Sequence, residues 1–269
     1  MKRSSALLAG LLALSLVLVI VPYRASAVST YTLSNGAITI NLDSFAQPRT
    51  MMTPRAPTSA ITGPGHEFLY YSGIWHPFGN PTTIVQTSPT TLVSTYAVGP
   101  YTVVRVAQLL GYPALLLTYK VTSSLGEPSV IGFHFSVDYH PGSAIPSLGN
   151  SVEPIFLQFS SINLPYGSSI PNRYNGSNIA VMQMNVNQFD FLAIDGRFPG
   201  RAALGSAYPG VYSAPPVNVG NSVLGGDQAI AVEILGMNVG AGGSVTFRAS
   251  MGQDITLKLA QTWAWISTR

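Results

Sequence analysis

The segment LLLTYKVTS, Leu115 to Ser123, decides the fold. Leu115, Leu117, Tyr119 and Val121 alternate with Thr118, Lys120 and Thr122. A period of two sends the two sets to opposite faces of a β-strand. The same pattern recurs at both ends of the chain. AITINLD (Ala37 to Asp43) follows an Asn35-Gly36 turn signal and puts Ile38, Ile40 and Leu42 on one face. SVTFRASM (Ser244 to Met251) sets Val245, Phe247 and Met251 against Ser244, Thr246, Arg248 and Ser250. Alternation, β-branched and aromatic enrichment, and Gly/Pro punctuation predict an all-β, antiparallel protein with one wet face per sheet. No fixed repeat, charge run or low-complexity linker divides the chain. The expectation is one large antiparallel β-sandwich over residues 28–269, with no helix beyond residue 27.

Long connections separate the strands. Residues 44–66 hold Pro48, Pro54, Pro57 and Pro64, and residues 141–152, 163–178 and 197–227 are similarly rich in Gly, Pro, Ser and Asn. Loops longer than about 12–15 residues in a compact domain are usually functional or mobile. Clustered at one end of a sandwich they form a binding surface; spread out, they cover sheet edges.

Residues 1–27, MKRSSALLAGLLALSLVLVIVPYRASA, combine a basic start, an apolar stretch from Ala6 to Val21 and a small-residue end at Ala25-Ser26-Ala27. That is the layout of a secretory signal peptide cleaved after Ala27. The alternative is an uncleaved anchor, since the apolar run approaches the roughly 18 residues of a spanning helix. The expected location is therefore outside the cell, at its surface. Lys2, Arg3 and Arg24 leave with the signal, so ten basic residues then face ten acidic ones. A neutral chain without a basic cluster lacks the counterion-release term of nucleic-acid binding, and that class is set aside. There is no cysteine, hence no disulfide and no thiolate site.

Phosphate-loop, serine-elbow and zinc-protease motifs are absent. His66-Glu67 starts like a zinc-binding helix, but Tyr70 stands where the second histidine belongs, and Gly63, Pro64 and Gly65 oppose a helix there. The best local constellation is VIGFHFSVDYH, Val130 to His140. Ile131, Phe133, Phe135, Val137 and Tyr139 alternate, so His134, Ser136, Asp138 and His140 share the other face. Such a trio of His134, Asp138 and His140 has the chemistry to bind a divalent cation, or to act as an acid/base pair on a sugar ring. The plainer reading, and the one preferred, is a solvated strand face on which two histidines and an aspartate fall by chance.

The stretch FLYYSGIWHPFG, Phe68 to Gly79, concentrates five aromatic residues and one histidine. Exposed rings stack on the apolar side of a pyranose, which makes Tyr71, Trp75 and His76 candidate sugar contacts; buried, the same rings are core. The expected arrangement has Phe68 and Tyr70 inside, with Trp75 and His76 at a loop rim. In DITLKLAQTWAWISTR, Ile255, Leu257, Leu259, Trp263 and Trp265 fall on one face of a strand, interrupted only by Gln261. That strand either completes its own sandwich or is donated to a neighbouring subunit. Asn175-Gly176-Ser177 is a glycosylation acceptor.

The run YTLSNGAITINLD, the pair from Gly111 to Val121 and the stretch NVGAGGSVTFRASMG, Asn238 to Gly252, together resemble a galactose-mutarotase-like β-supersandwich. The resemblance implies that fold and a carbohydrate context, since such domains occur in sugar epimerases and beside the catalytic domains of glycoside hydrolases and lyases. No catalytic His and carboxylate can be matched residue by residue. The sequence thus points to a secreted, non-catalytic carbohydrate-binding protein at the cell surface, with a polysaccharide or surface glycan as partner. Tyr71, Trp75, His76, His134, Asp138 and His140 are the ligand-binding candidates, and no catalytic residue, metal or cofactor is assigned. The alternatives are a structural subunit of an extracellular layer or filament, self-associating through the C-terminal strand, and a sugar-active enzyme of the mutarotase or lyase type.

Overall fold

The computed structural model describes residues 31–56, 59–62, 67–141, 157–163, 177–185, 188–206, 221–224 and 228–268. Residues 1–27, expected to be a signal peptide, and Asn175 lie outside them. In chain order the strands are β1 (Tyr31–Ser34), β2 (Thr39–Leu42), β3 (Pro48–Met52), β4 (Ser59–Thr62), β5 (Glu67–Tyr71), β6 (Ile74–Pro77), β7 (Thr83–Ser88), β8 (Thr91–Val98) and β9 (Tyr101–Leu109). They continue as β10 (Ala114–Ser123), β11 (Ser129–Pro141), β12 (Leu157–Asn163), β13 (Ser177–Asn185), β14 (Gln188–Asp195), β15 (Gly200–Ser206), β16 (Asn221–Leu224), β17 (Gln228–Val239) and β18 (Ser244–Asp254), followed by helix α1 (Leu257–Ser267).

Two nine-stranded antiparallel sheets result. The first runs β1-β2-β3-β4-β11-β17-β15, and the second β16-β12-β13-β14-β18-β10-β9-β8-β7. The β5–β6 hairpin joins the first sheet on the same edge of β11 as β4, pairing Gly132–Phe135 while β4 pairs Asp138–Pro141. The two sheets meet through aromatic side chains. Phe133 of β11 lies 4.7 Å from Tyr119 of β10 and 4.6 Å from Phe247 of β18, ring centre to ring centre. All three are fully buried. The alternation of LLLTYKVTS is thus realised as a strand with Leu115, Leu117, Tyr119 and Val121 in the core. The Asn35-Gly36 turn also forms as expected: Asn35 Oδ1 accepts from the amides of Ala37 and Ile38, and Gly36 takes a left-handed φ of +83°.

Three expectations need correction. The first is that residue 27 ends all helix. Residues 257–267 form α1, not a strand. Thr256 caps it by accepting from the amide of Leu259, and Ala260, Ala264 and Ser267 recur at helical spacing as its buried stripe. Small residues there let the helix lie close on the outer face of the second sheet, against Ile179, Val181, Phe191 and Ala193. The donated C-terminal strand required by the self-association reading is therefore not formed by these residues. The second correction follows from the first. Sheets with one wet face were expected, yet β14 and the end of β18 are buried on both faces because α1 covers them. The third concerns loops: residues 44–66 contain β3 and β4, and residues 197–227 contain β15 and β16.

Between the sheets sits an ion pair. Arg105 of β9 reaches Glu67 of β5 at 2.6 Å, and both side chains are almost completely buried. Glu67 also accepts from the Tyr119 hydroxyl and from Gln47 Nε2 at 3.0 Å. Arg105 donates to Ser94 Oγ and the Ala46 carbonyl, and its guanidinium lies 5.3 Å from the Tyr96 ring centre. Every hydrogen-bonding group of the pair thus finds partners, which is what makes a buried charge tolerable.

Candidate functional site

The β5–β6 hairpin positions most of the candidate residues, and its turn explains how. Ser72 and Gly73 both have positive φ, +50° and +85°. That is the two-residue turn whose twist matches paired strands, and glycine takes the second position without strain. The register then sets Leu69 opposite His76, Tyr70 opposite Trp75 and Tyr71 opposite Ile74. Directly opposed residues share a face, so the hairpin sorts its rings into two groups.

Tyr71 and His76 belong to the face turned toward the second sheet. Their rings stack at 3.8 Å and 12°, and Tyr71 meets Tyr101 of β9 edge-on at 5.1 Å. The Tyr71 hydroxyl lies over Gly99, where a side chain could not fit. This pair therefore ties the hairpin to the second sheet. It does not share a surface with Trp75.

Trp75, Tyr70 and Phe68 occupy the outer face of the first sheet. Phe68 and Tyr70 thus point away from the core, contrary to expectation, because the inward positions of β5 are taken by Glu67 and Leu69. The Trp75 indole lies beside Tyr70, ring centres 5.1 Å apart, and above Gly132, where a Cβ would come within 3.5 Å of it. Phe68 and Trp75 each meet the His134 ring in a T-shaped arrangement, at 5.6 Å and 5.7 Å between ring centres. His134 in turn bonds Glu233 of β17 through Nδ1 at 2.8 Å.

The structure thus joins two of the six candidates, Trp75 and His134, in one cluster. It places Tyr71 and His76 on the other side of the hairpin. The backbones of Asp138 and His140 lie further along β11, opposite Thr62 and Ala60, and their side chains fall outside the described residues. Among the described residues no three His, Asp or Glu side chains converge as a metal site. The solvated-face reading fails for His134 and Ser136, which are 3% and 0% exposed. Glu233 had not been singled out from sequence. Its only signal is a carboxylate breaking the apolar run IAVEIL, and nothing local says that it pairs with a histidine of β11.

Chemically, the cluster is a half-exposed indole and an exposed phenol backed by a buried imidazole–carboxylate pair. Such a surface offers ring faces for the apolar side of a sugar and little accessible charge.

No family model and no curated protein matches the chain. Solved structures do. A galactose mutarotase-like protein from Lactobacillus casei is 12% identical, over 84% of this chain and 100% of its own, with a TM-score of 0.43. A galactose mutarotase related enzyme from Lactobacillus acidophilus is 10% identical, over 85% and 100%, with a TM-score of 0.43. A mutant heparan sulfate lyase from Pedobacter heparinus is 10% identical, over 86% of this chain and 36% of the lyase, with a TM-score of 0.45. The likeness to mutarotase-like β-sandwiches is one of fold alone.

Proposed function

We propose that the protein is a secreted, non-catalytic carbohydrate-binding β-sandwich acting at the cell surface, with Trp75 as the principal contact to a polysaccharide or surface glycan. The observation that carries this reading is the Trp75 indole, held against Tyr70 over Gly132 and half-open to solvent on the outer face. A ring fixed in this way loses little freedom on stacking against a sugar, so most of the contact energy is retained. The His134–Glu233 pair supports the non-catalytic half of the reading. Both side chains are 4% exposed and bonded to each other beneath Phe68 and Trp75. A general acid or base must come within hydrogen-bond reach of the reacting sugar, and here the pair serves to set the indole.

The test is binding to an array of polysaccharides, followed by titration of the strongest ligand. Trp75→Ala is expected to weaken binding by about 1 kcal/mol, or several-fold, with an unchanged circular dichroism spectrum. Equal affinity in wild type and variant removes Trp75 from the site. Incubating the protein with aldoses and with uronate-containing polysaccharides addresses the enzyme reading. Turnover that His134→Gln abolishes would replace binding with catalysis.

A further inference from the structure

A concavity of about 460 Å³ opens at one end of the second sheet. Four elements build it: the β1–β2 turn, the residues after β3, the β9–β10 turn, and the corner where β18 passes into α1. Its volume falls in the roughly 300–1,000 Å³ range of small-molecule sites. None of the residues weighed above as ligand contacts lies in it.

Its walls are ordered by a short chain of contacts. Tyr112 and Trp263 stack at 4.8 Å and 17°. Trp263 Nε1 donates to Asp254 Oδ2 at 2.6 Å, and the Ile255 amide donates to Asp254 Oδ1 at 2.7 Å. These two bonds fix the indole and the carboxylate together, although Asp254 is only 4% exposed. Beside it the fully buried Gln253 accepts from Thr53 Oγ1 at 3.3 Å. The Tyr112 hydroxyl is a donor at ordinary pH, and burial raises its pKa, keeping it one further into the alkaline range. At the rim the exposed Arg55 forms no ion pair with any described residue.

We propose that this cavity binds one hexuronate unit, a pyranose ring bearing a carboxylate. The aromatic stack provides an apolar wall for a sugar ring. The second lone pairs of Asp254 and the Thr53 and Tyr112 hydroxyls offer partners for ring hydroxyls. The Arg55 fork matches a carboxylate in two-point geometry. Other ligand chemistries fit less well. A purely apolar acid would strip water from Asp254, Gln253 and Thr53 without replacing its hydrogen bonds. A quaternary ammonium suits the rings but brings no hydroxyl for Thr53 or Tyr112 and meets Arg55 as a like charge, whereas a uronate carboxylate held at Arg55 leaves the Asp254 charge to the Trp263 and Ile255 donors. The inference stands apart from the Trp75 surface and survives its failure.

The experiment titrates the purified protein with sodium galacturonate and, in parallel, with galactose, reading tryptophan fluorescence and saturation-transfer NMR. Galacturonate is expected to bind saturably and at least ten-fold more tightly than galactose. Arg55→Ala is expected to remove that preference without weakening galactose binding. Gly111→Phe is expected to abolish both, since a Cβ at Gly111 meets nothing within 4 Å and the new ring can enter the cavity without disturbing the fold. Thermal melting of each variant checks that fold. Absence of saturable binding by galacturonate overturns the proposal, as does binding undiminished in a folded Gly111→Phe. Equal affinity for the two sugars with no effect of Arg55→Ala overturns the assignment to a uronate.

Discussion

Replacing Glu67 by glutamine keeps the shape of the side chain and removes only its charge. The carboxylate receives three donors: Arg105 Nη1 and Gln47 Nε2 at Oε2, and the Tyr119 hydroxyl at Oε1. An amide has one oxygen to accept with, so at least one donor is left facing an NH2 group. Arg105 meanwhile stays charged. Burial works against its charge, but the carboxylate of Glu67, with Tyr96 and Tyr119, outweighs that and raises its pKa. The variant therefore leaves a cation that is 1% exposed without its counter-charge. Breaking a buried pair from one side costs about 3–5 kcal/mol, a large share of the roughly 5–15 kcal/mol that holds a domain folded. Urea unfolding followed by circular dichroism measures the loss as a lower midpoint at constant slope. The double variant Glu67→Gln, Arg105→Met removes the stranded charge and is expected to recover most of it. A loss below about 1 kcal/mol for the single variant, the scale of an exposed pair, would refute the idea that this pair joins the sheets. A double variant as unstable as the sum of two singles would refute it too.

Tyr96 gives a pH dependence. Burial, the leading cause, raises its pKa from 10.0 to about 12, with Arg105 pulling the other way. Between those values the unfolded chain has lost the proton that the folded one keeps, so stability is full below pH 10 and falls as pH rises toward 12. Tyr96 alone accounts for a loss of about 3 kcal/mol over that window, and Tyr119, whose hydroxyl burial also pushes up, adds to it in the same direction; urea melts at a series of alkaline pH values measure the sum. For α1, Ala264→Leu should overpack the buried stripe and cost about 1–3 kcal/mol, whereas Ile266→Ser on the exposed side should change stability by under about 0.5 kcal/mol; chemical unfolding distinguishes the two. The secreted protein should begin Val28-Ser29-Thr30 by N-terminal sequencing, and recovery of the full chain only in membranes would reject cleavage after Ala27.

Where one strand face met the core and the other was open, the sequence was transparent, as in β2 and β10. It misled where a second layer covers the outer face. His134 and Ser136 look like a wet face because polar residues alternate with apolar ones, yet both are buried, His134 with Phe68 and Trp75 against its ring. In β5 the pattern was inverted: Glu67 faces inward because Arg105 waits there, and the two residues are too far apart in sequence for either to announce the other. The C-terminal Leu and Trp residues at every second position imitated a strand. Ala260, Ala264 and Ser267 carried the helical period, but small residues add little to a hydrophobic pattern. For the candidate site, Trp75 and His134 were readable as chemistry, while their grouping and the separation of Tyr71 and His76 depended on a hairpin register that only the turn geometry fixes.

The position of β18 bears on how the chain folds. On one side of it lie β7 to β10, a meander of consecutive hairpins; on the other lie β14, β13, β12 and β16. The hairpins β7 to β10 and β12 to β14 can zip locally, but they become one sheet only when β18 enters between Leu117 and Ile194, pairing its Ala249 with both. Closing the contact to β10 gathers most of the intervening chain into a loop, and contacts of such long range slow folding. Until β18 arrives, β10 and β14 each present an open edge, the kind of surface on which two chains can pair in error. Refolding yield should therefore fall with protein concentration, and the strand that joins the two halves is the step at which folding and aggregation compete.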